Sequence, residues 1–128
     1  MHKMYIKASI IEKTTIALRS LSKNWDNYGS PEVSYRSLNS FENFGNRFFK
    51  FFYLRYSIMA VSGGGIQLDF NFDKKMISFE FFPDGSIGFE KFENLGSDGN
   101  LIPECSALDI NNINIADNVN DLLKWLIQ

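Results

Sequence analysis

The chain is predicted to be an α+β protein, with two N-terminal helices packed on an antiparallel meander of three to four strands and a short C-terminal helix. Three observations predict this. Apolar residues recur at spacings of three and four as far as about Leu54. From Ser57 the period changes to two. A helical period then returns in the closing segment, "NVNDLLKWLIQ". Helices and strands that are segregated along the chain point to helices on one face of an antiparallel sheet.

Residues 8–25 are predicted as the first helix, because Ile10, Ile11, Thr14, Ala17, Leu18, Leu21 and Trp25 fall on one stripe. Gly29 would supply the stop, and Pro31 prevents continuation. Ser34 is the expected N-cap of a second helix running to about residue 54, since its hydroxyl can accept from first-turn amides. Leu38, Phe41, Phe44, Phe48, Phe51 and Phe52 carry its period. Gly45 lies inside it and costs about 1 kcal/mol relative to Ala, which a tight crossing would explain.

Strands are predicted over residues 57–61, 65–72, 76–82 and 86–92. "GIQLDFNF" alternates strictly, with Ile66, Leu68, Phe70 and Phe72 on one face and Gln67, Asp69 and Asn71 on the other. "PDG" is a strong turn signal. "ENLGSDGNLIPE" reads as a loop, and "CSALDI" is too short to assign. The last helix is expected over residues 118–127, capped by Asp117 or Asn118, with Val119, Leu122, Leu123, Leu126 and Trp125 facing inward.

With 128 residues, 45% of them hydrophobic, the chain is expected to form a single domain over residues 1–128. Thirteen Phe supply a sizeable core. No apolar run is long enough to span a membrane, and the N-terminus shows no signal-peptide pattern, so a cytoplasmic location is expected. Cys105 is the only cysteine and His2 the only histidine. That excludes an intramolecular disulfide, and it excludes His-based triads unless His2 folds back into a site. No metal and no cofactor are expected, because "SDGN" and "DNVND" are too sparse for a calcium loop. "SGGG" leads into a strand and lacks the Lys-Ser/Thr pair of a phosphate loop.

Charge is distributed unevenly. Residues 1–65 carry nine Lys/Arg and four acids, whereas residues 66–128 carry four Lys and eleven acids. The halves can attract each other, or the acidic half can meet a basic partner. Asp69 and Glu80 lie on neighbouring predicted strands and can share a face. That pair reads as a solvated face, a partner contact or an acid/base couple. Arg36, Arg47, Lys50 and Arg55 fall on the predicted second helix among Phe residues, which is the weak signature of a nucleic-acid binder. "NWDNYGS" has two readings. It is a structural corner with Trp25 closing the helix, Tyr28 packed over it and Asp26 bonded to local backbone, or an exposed anchor of Trp25, Asp26 and Tyr28.

Several motifs occur together in order: "NWDNYGS", "PEVS", "GGIQLDF", "ISFEFFPDGS" and "LLKWL". Together they resemble a family of small bacterial proteins with an Asn-Trp-Asp-Gly-Tyr-Gly-Ala stretch, a Gly-Gly-Ile-x-Leu-Glu-Trp strand and a Pro-Asp-Gly turn. The resemblance covers most of residues 21–128. The chain departs from it at Asn27 for Gly, Ser30 for Ala, Asp69 for Glu and Phe70 for Trp. It implies a shared α+β fold and an association with mobile-element, toxin–antitoxin and phage-conflict genes, and it brings no activity with it.

The function expected is therefore a non-enzymatic protein-binding module docking on a basic surface, as an antitoxin, immunity protein or anti-defence inhibitor would. Gln67, Asp69 and Glu80 form the first candidate contact, and Trp25, Asp26 and Tyr28 the second. The alternatives are a small enzyme using Asp69 and Glu80, or a nucleic-acid binder through the basic helix. Neither a membrane nor nucleic acid is the expected partner, and the Phe excess and edge strands permit a homodimer.

Overall fold

The computed structural model describes residues 2–93, 104–108 and 113–128, with side chains described for residues 10–93 and 118–128. Helices α1 (His2–Arg19) and α2 (Tyr35–Arg47) precede a short 3-10 helix at Phe49–Phe51. Strands β1 (Arg55–Val61), β2 (Gly65–Phe72), β3 (Lys75–Phe81), β4 (Ile87–Phe92) and β5 (Glu104–Leu108) follow, and then helix α3 (Ile113–Leu126). The five strands form one sheet in the order β1-β2-β3-β4-β5, with every neighbouring pair antiparallel. The fold is α+β.

One sheet face is packed with aliphatic and aromatic side chains. Ile66, Leu68 and Phe70 of β2, Ile77, Phe79 and Phe81 of β3, and Ile87 and Phe89 of β4 are all buried. Phe41 and Phe44 of α2 meet them directly. Phe44 lies 4.8 Å from Phe79 and 5.3 Å from Phe81 between ring centroids, and Phe41 lies edge-on to Phe81 at 5.6 Å. Edge-to-face contact suits the ring quadrupoles and adds about 0.5–1.5 kcal/mol per pair beyond area burial. Val119, Leu123 and Leu126 of α3 complete the same core.

Gly45 is explained by the crossing of α1 and α2. A Cβ there would lie 2.5 Å from Cδ1 of Ile11, so any larger residue at this crossing requires the buried Ile11 side chain to shift. Ser34 caps α2 as expected, accepting from the amides of Arg36 and Ser37. Its hydroxyl proton goes to the Pro83 carbonyl at 2.6 Å, which ties the helix start to the β3–β4 turn.

Element boundaries differ from expectation where loop hydrogen bonds override apolar spacing. The first helix ends at Arg19, well before Trp25, because Leu21 N–H bonds Leu18 O and Asn24 adopts φ 61, which no right-handed helix admits. Its buried line is Ile11, Thr15 and Leu18, whereas Ala17 is exposed. Gly29 does not stop the helix; it adopts φ 82 in the loop beyond. The second helix closes at Arg47, since Phe48 leaves helical geometry at φ -110, ψ 21. The apolar period persists to Leu54 only because the 3-10 turn keeps Phe51, Phe52 and Leu54 buried. The proposed basic helix is thereby divided. Arg36 and Arg47 lie on α2, Lys50 lies on the 3-10 turn, and Arg55 opens β1.

The sheet has one strand more than the largest number expected. "ECSAL" pairs with β4, its contribution hidden by its brevity. The strand expected at residues 65–72 is observed unchanged, and those at 57–61, 76–82 and 86–92 move by one or two residues at their ends. The last helix begins at Ile113 rather than residue 118, so Asp117 and Asn118 lie within it and do not cap it. The loop expected over residues 93–104 lies largely outside the described residues.

Candidate functional site

The two candidate patches resolve into different kinds of place. At the corner between α1 and α2, Asp26 is the hub. Its Oδ1 accepts from the amides of Tyr28 at 3.0 Å and Ser30 at 3.3 Å. Its Oδ2 accepts from the hydroxyls of Ser30 at 2.5 Å and Ser62 at 2.9 Å. Both serine protons therefore point at one carboxylate oxygen, and the 3.1 Å separation of the two hydroxyls follows from that shared acceptor. The arrangement requires an ionised Asp26. The Ser30 hydroxyl, then the Tyr28 amide, hold its carboxyl well below the usual range, with smaller help from Ser62 and the Ser30 amide.

The same corner carries three left-handed residues, Asn24 at φ 61, Asn27 at φ 65 and Gly29 at φ 82. Asn is the side chain that most readily adopts this conformation after Gly, which accounts for the Asn-rich spelling of the turn. Asn24 Oδ1 accepts from Gly29 N–H, and Trp25 Nε1 donates to the Pro31 carbonyl. Ser62 belongs to the β1–β2 turn, so Asp26 fastens the corner to the sheet. A second tie runs beside it, with Ser34 N–H and the Ser37 hydroxyl both donating to Gly64 O. "SGGG" is thus a docking point for the start of α2. Gly64, at φ 100, is strained for any side chain, and a Cβ there would also crowd Glu32 O at 3.1 Å. Tyr28 does not pack over Trp25; it is 91% exposed. Trp25 is half-buried.

The second patch is the sheet face that α2 and α3 leave uncovered. Alternation places Ser57 and Met59 of β1, Gln67, Asp69 and Asn71 of β2, Met76, Ser78 and Glu80 of β3, and Gly88 and Glu90 of β4 there. Gln67 stands opposite Glu80, and Asp69 opposite Ser78. The two acids are therefore diagonal neighbours on one face and are not a directly opposed pair. Gln67 gives its amide to Asp69, with Nε2 at 3.0 and 3.2 Å from the two carboxylate oxygens. Asp69 is only 8% exposed, which corrects the reading of it as a solvated surface acid.

Glu80 receives nothing comparable. Its opposite residue on the other side is Gly88, which has no side chain to separate it from Glu90 on the next diagonal. Burial, and then the charge of Glu90, push the Glu80 carboxyl above its ordinary range. Among the described strand residues, the one basic side chain on this face is Arg55, at the far corner opposite Asn71. Glu90 was not among the candidate residues, although its alternation with Phe89 in "SIGFEKF" marks it. Ser30 and Ser62 were also missed, and nothing local in the sequence joins them to Asp26.

Two concavities lie elsewhere. One of about 340 Å³ is lined by Tyr53, Leu54, Arg55, Asn71, Phe72 and Asp73. The other, of about 400 Å³, lies between α1 and α2 around Ile16, Arg19 and Glu42. Neither includes Asp69 or Glu80. Among the described residues, no three His, Cys, Asp or Glu side chains group closely enough to hold a metal. None of their helices is long and apolar enough to cross a membrane. Comparison with family models, curated proteins and solved structures finds no match to this chain.

Proposed function

We propose that the chain is a non-enzymatic module that docks on a basic protein surface through the uncovered sheet face, as an antitoxin, immunity or anti-defence inhibitor does. The observation that carries this reading is Glu80. It is partly desolvated beside Glu90, has no counter-charge among the described residues, and is held above its ordinary titration range. A like-charge pair on a sheet opposes folding and is relieved when a cation arrives. Gln67 and Asp69, already bonded to each other, supply a pre-set polar neighbour at low ordering cost.

The resemblance to small bacterial conflict-gene proteins belongs to this proposal. Asn27, standing where that motif has Gly, has φ 65, a conformation open to both residues, so the departure leaves the corner unchanged.

The experiment is affinity capture of the partner from native cells, followed by association kinetics of the purified pair. Charge-steered docking predicts an association rate that falls as salt rises. It also predicts slower association for Glu80→Lys/Glu90→Lys, because Asp69 is too buried to accept a lysine without disturbing the fold. A rate indifferent to both salt and charge reversal removes the sheet-face reading.

A further inference from the structure

The sheet has two edges, and they are built differently. At one end is β5, a five-residue strand that begins on Glu104. At the other is β1, "RYSIMAV", which runs seven residues against β2 in continuous register without a bulge. Natural edges are usually blunted by proline, charge, bulges or shortness. β1 has no proline, and its single charge, Arg55, is at its first residue. Among the described residues β2 is its only strand partner, so alternate amides and carbonyls face outward unpaired.

Among the described residues the main helix contacts fall on the inner strands, α2 over β2 and β3 and α3 over β3, and β1 is met at its start by Phe52, 5.0 Å from Tyr56. Tyr56, Ile58 and Ala60, which point toward the helix side, are consequently only half-buried, and Met59 on the other face is 43% exposed.

From these features we infer that β1 pairs antiparallel with β1 of a second copy, about a two-fold axis through Ile58, to give one continuous ten-stranded sheet. Opposed residues must share a face, so the axis has to pass through a residue, and Ile58 is the choice that uses the whole strand. In that register Ile58 meets Ile58 of the other copy, and Tyr56 meets Ala60. Ser57 meets Met59, and Arg55 meets Val61. Large side chains oppose small ones, and the two arginines lie at opposite ends. The strand thus fits itself in size on either side of the Ile58 pair, and the register keeps its only charges apart. This inference is independent of the docking reading, because it rests on the edge and not on Asp69 or Glu80.

Its test is the solution mass of the full chain by sedimentation equilibrium. Wild type is expected at twice the 14.7 kDa chain mass. Ser57→Lys/Met59→Lys puts lysine opposite lysine twice and is expected to raise the dimer dissociation constant at least about ten-fold. Ser57→Lys/Met59→Glu puts lysine opposite glutamate in the same register and is expected to restore the dimer. Both positions are exposed within the single chain, so circular dichroism should show each variant folded. A monomeric wild type at ~100 µM overturns the inference and leaves the edge to an extended segment of another protein. An unchanged dimer in the double-lysine variant overturns it too, as does failure of the lysine–glutamate variant to re-associate.

Discussion

Asp26 and Glu80 are acids of one chain in opposite circumstances. Asp26 accepts four hydrogen bonds from Tyr28, Ser30 and Ser62 and is held ionised far into acid. Glu80 lies beside Gly88 and Glu90, is partly desolvated, and resists ionisation. The difference teaches where to look for function. An acid that the fold surrounds with donors serves the fold. An acid that the fold leaves with a like charge and no donor is available to something outside it. On that ground the aromatic corner is architecture, and the open sheet face is the surface we propose for a partner.

The largest expected effect is on partner affinity. Glu80→Lys/Glu90→Lys should weaken binding about 100-fold, in the range seen for reversal of close interfacial charges. Asp26→Asn, measured with the same partner, should change affinity less than about two-fold once the folded fraction is equal. Equal losses at the two sites would erase the distinction between them.

Next in size is stability. Asp26→Asn removes the charge that two serine hydroxyls and two amides are arranged to meet, and should lower Tm by several degrees. The pH dependence has a definite sign. Asp26 has a depressed pKa in the folded chain, so its contribution is full above the ordinary aspartate value. It is lost as pH falls through the window below that value. The Asn variant should lose that part of the acid sensitivity, which an acid-unfolding series monitored by circular dichroism will show.

Glu80 has the reverse sign. Its folded pKa is raised, so the native chain binds more protons than the unfolded one just above the ordinary glutamate range, and stability falls as pH rises through that window. Glu80→Gln should remove the fall and raise Tm at neutral pH by roughly one or two degrees, the gain being limited by solvent screening. Differential scanning calorimetry at several pH values measures both. A Glu80→Gln variant less stable than wild type at neutral pH would contradict the repulsion argument.

The smallest effect sharpens the comparison at the corner. Tyr28→Ala should change stability by less than about 0.5 kcal/mol, because the ring is exposed and contacts little. If partner affinity nevertheless falls, the corner is a second contact patch in addition to its structural role.

The contrast between the two acids was only half legible in the sequence. Alternation in "GIQLDFNF" and "MISFEFF" was enough to place Gln67, Asp69 and Glu80 on one face, because a buried sheet face enforces period two. Glu90 was equally readable from "GFEKF" and completes the set. The state of Asp26 was not readable, since its partner Ser62 is brought in by the β1–β2 turn and no local pattern announces that contact. The extent of the first helix failed for a related reason. The spacing of Leu21 and Trp25 suits a helix, but Asn24 and Asn27 adopt left-handed geometry that spacing does not encode. The bond from Gln67 to Asp69 is local, between neighbours on one face of β2, whereas the approach of Glu80 to Glu90 is set by cross-strand register, which adjacency in the sequence does not show.

Asp26 and Glu80 mark the two kinds of place, and one titration reads both. Side-chain carboxyl carbons of the free chain, followed by NMR from acid to neutral pH, should show Asp26 titrating below the ordinary aspartate value and Glu80 above the ordinary glutamate value. Ordinary midpoints for both, or a Glu80 midpoint below its usual value, would contradict it.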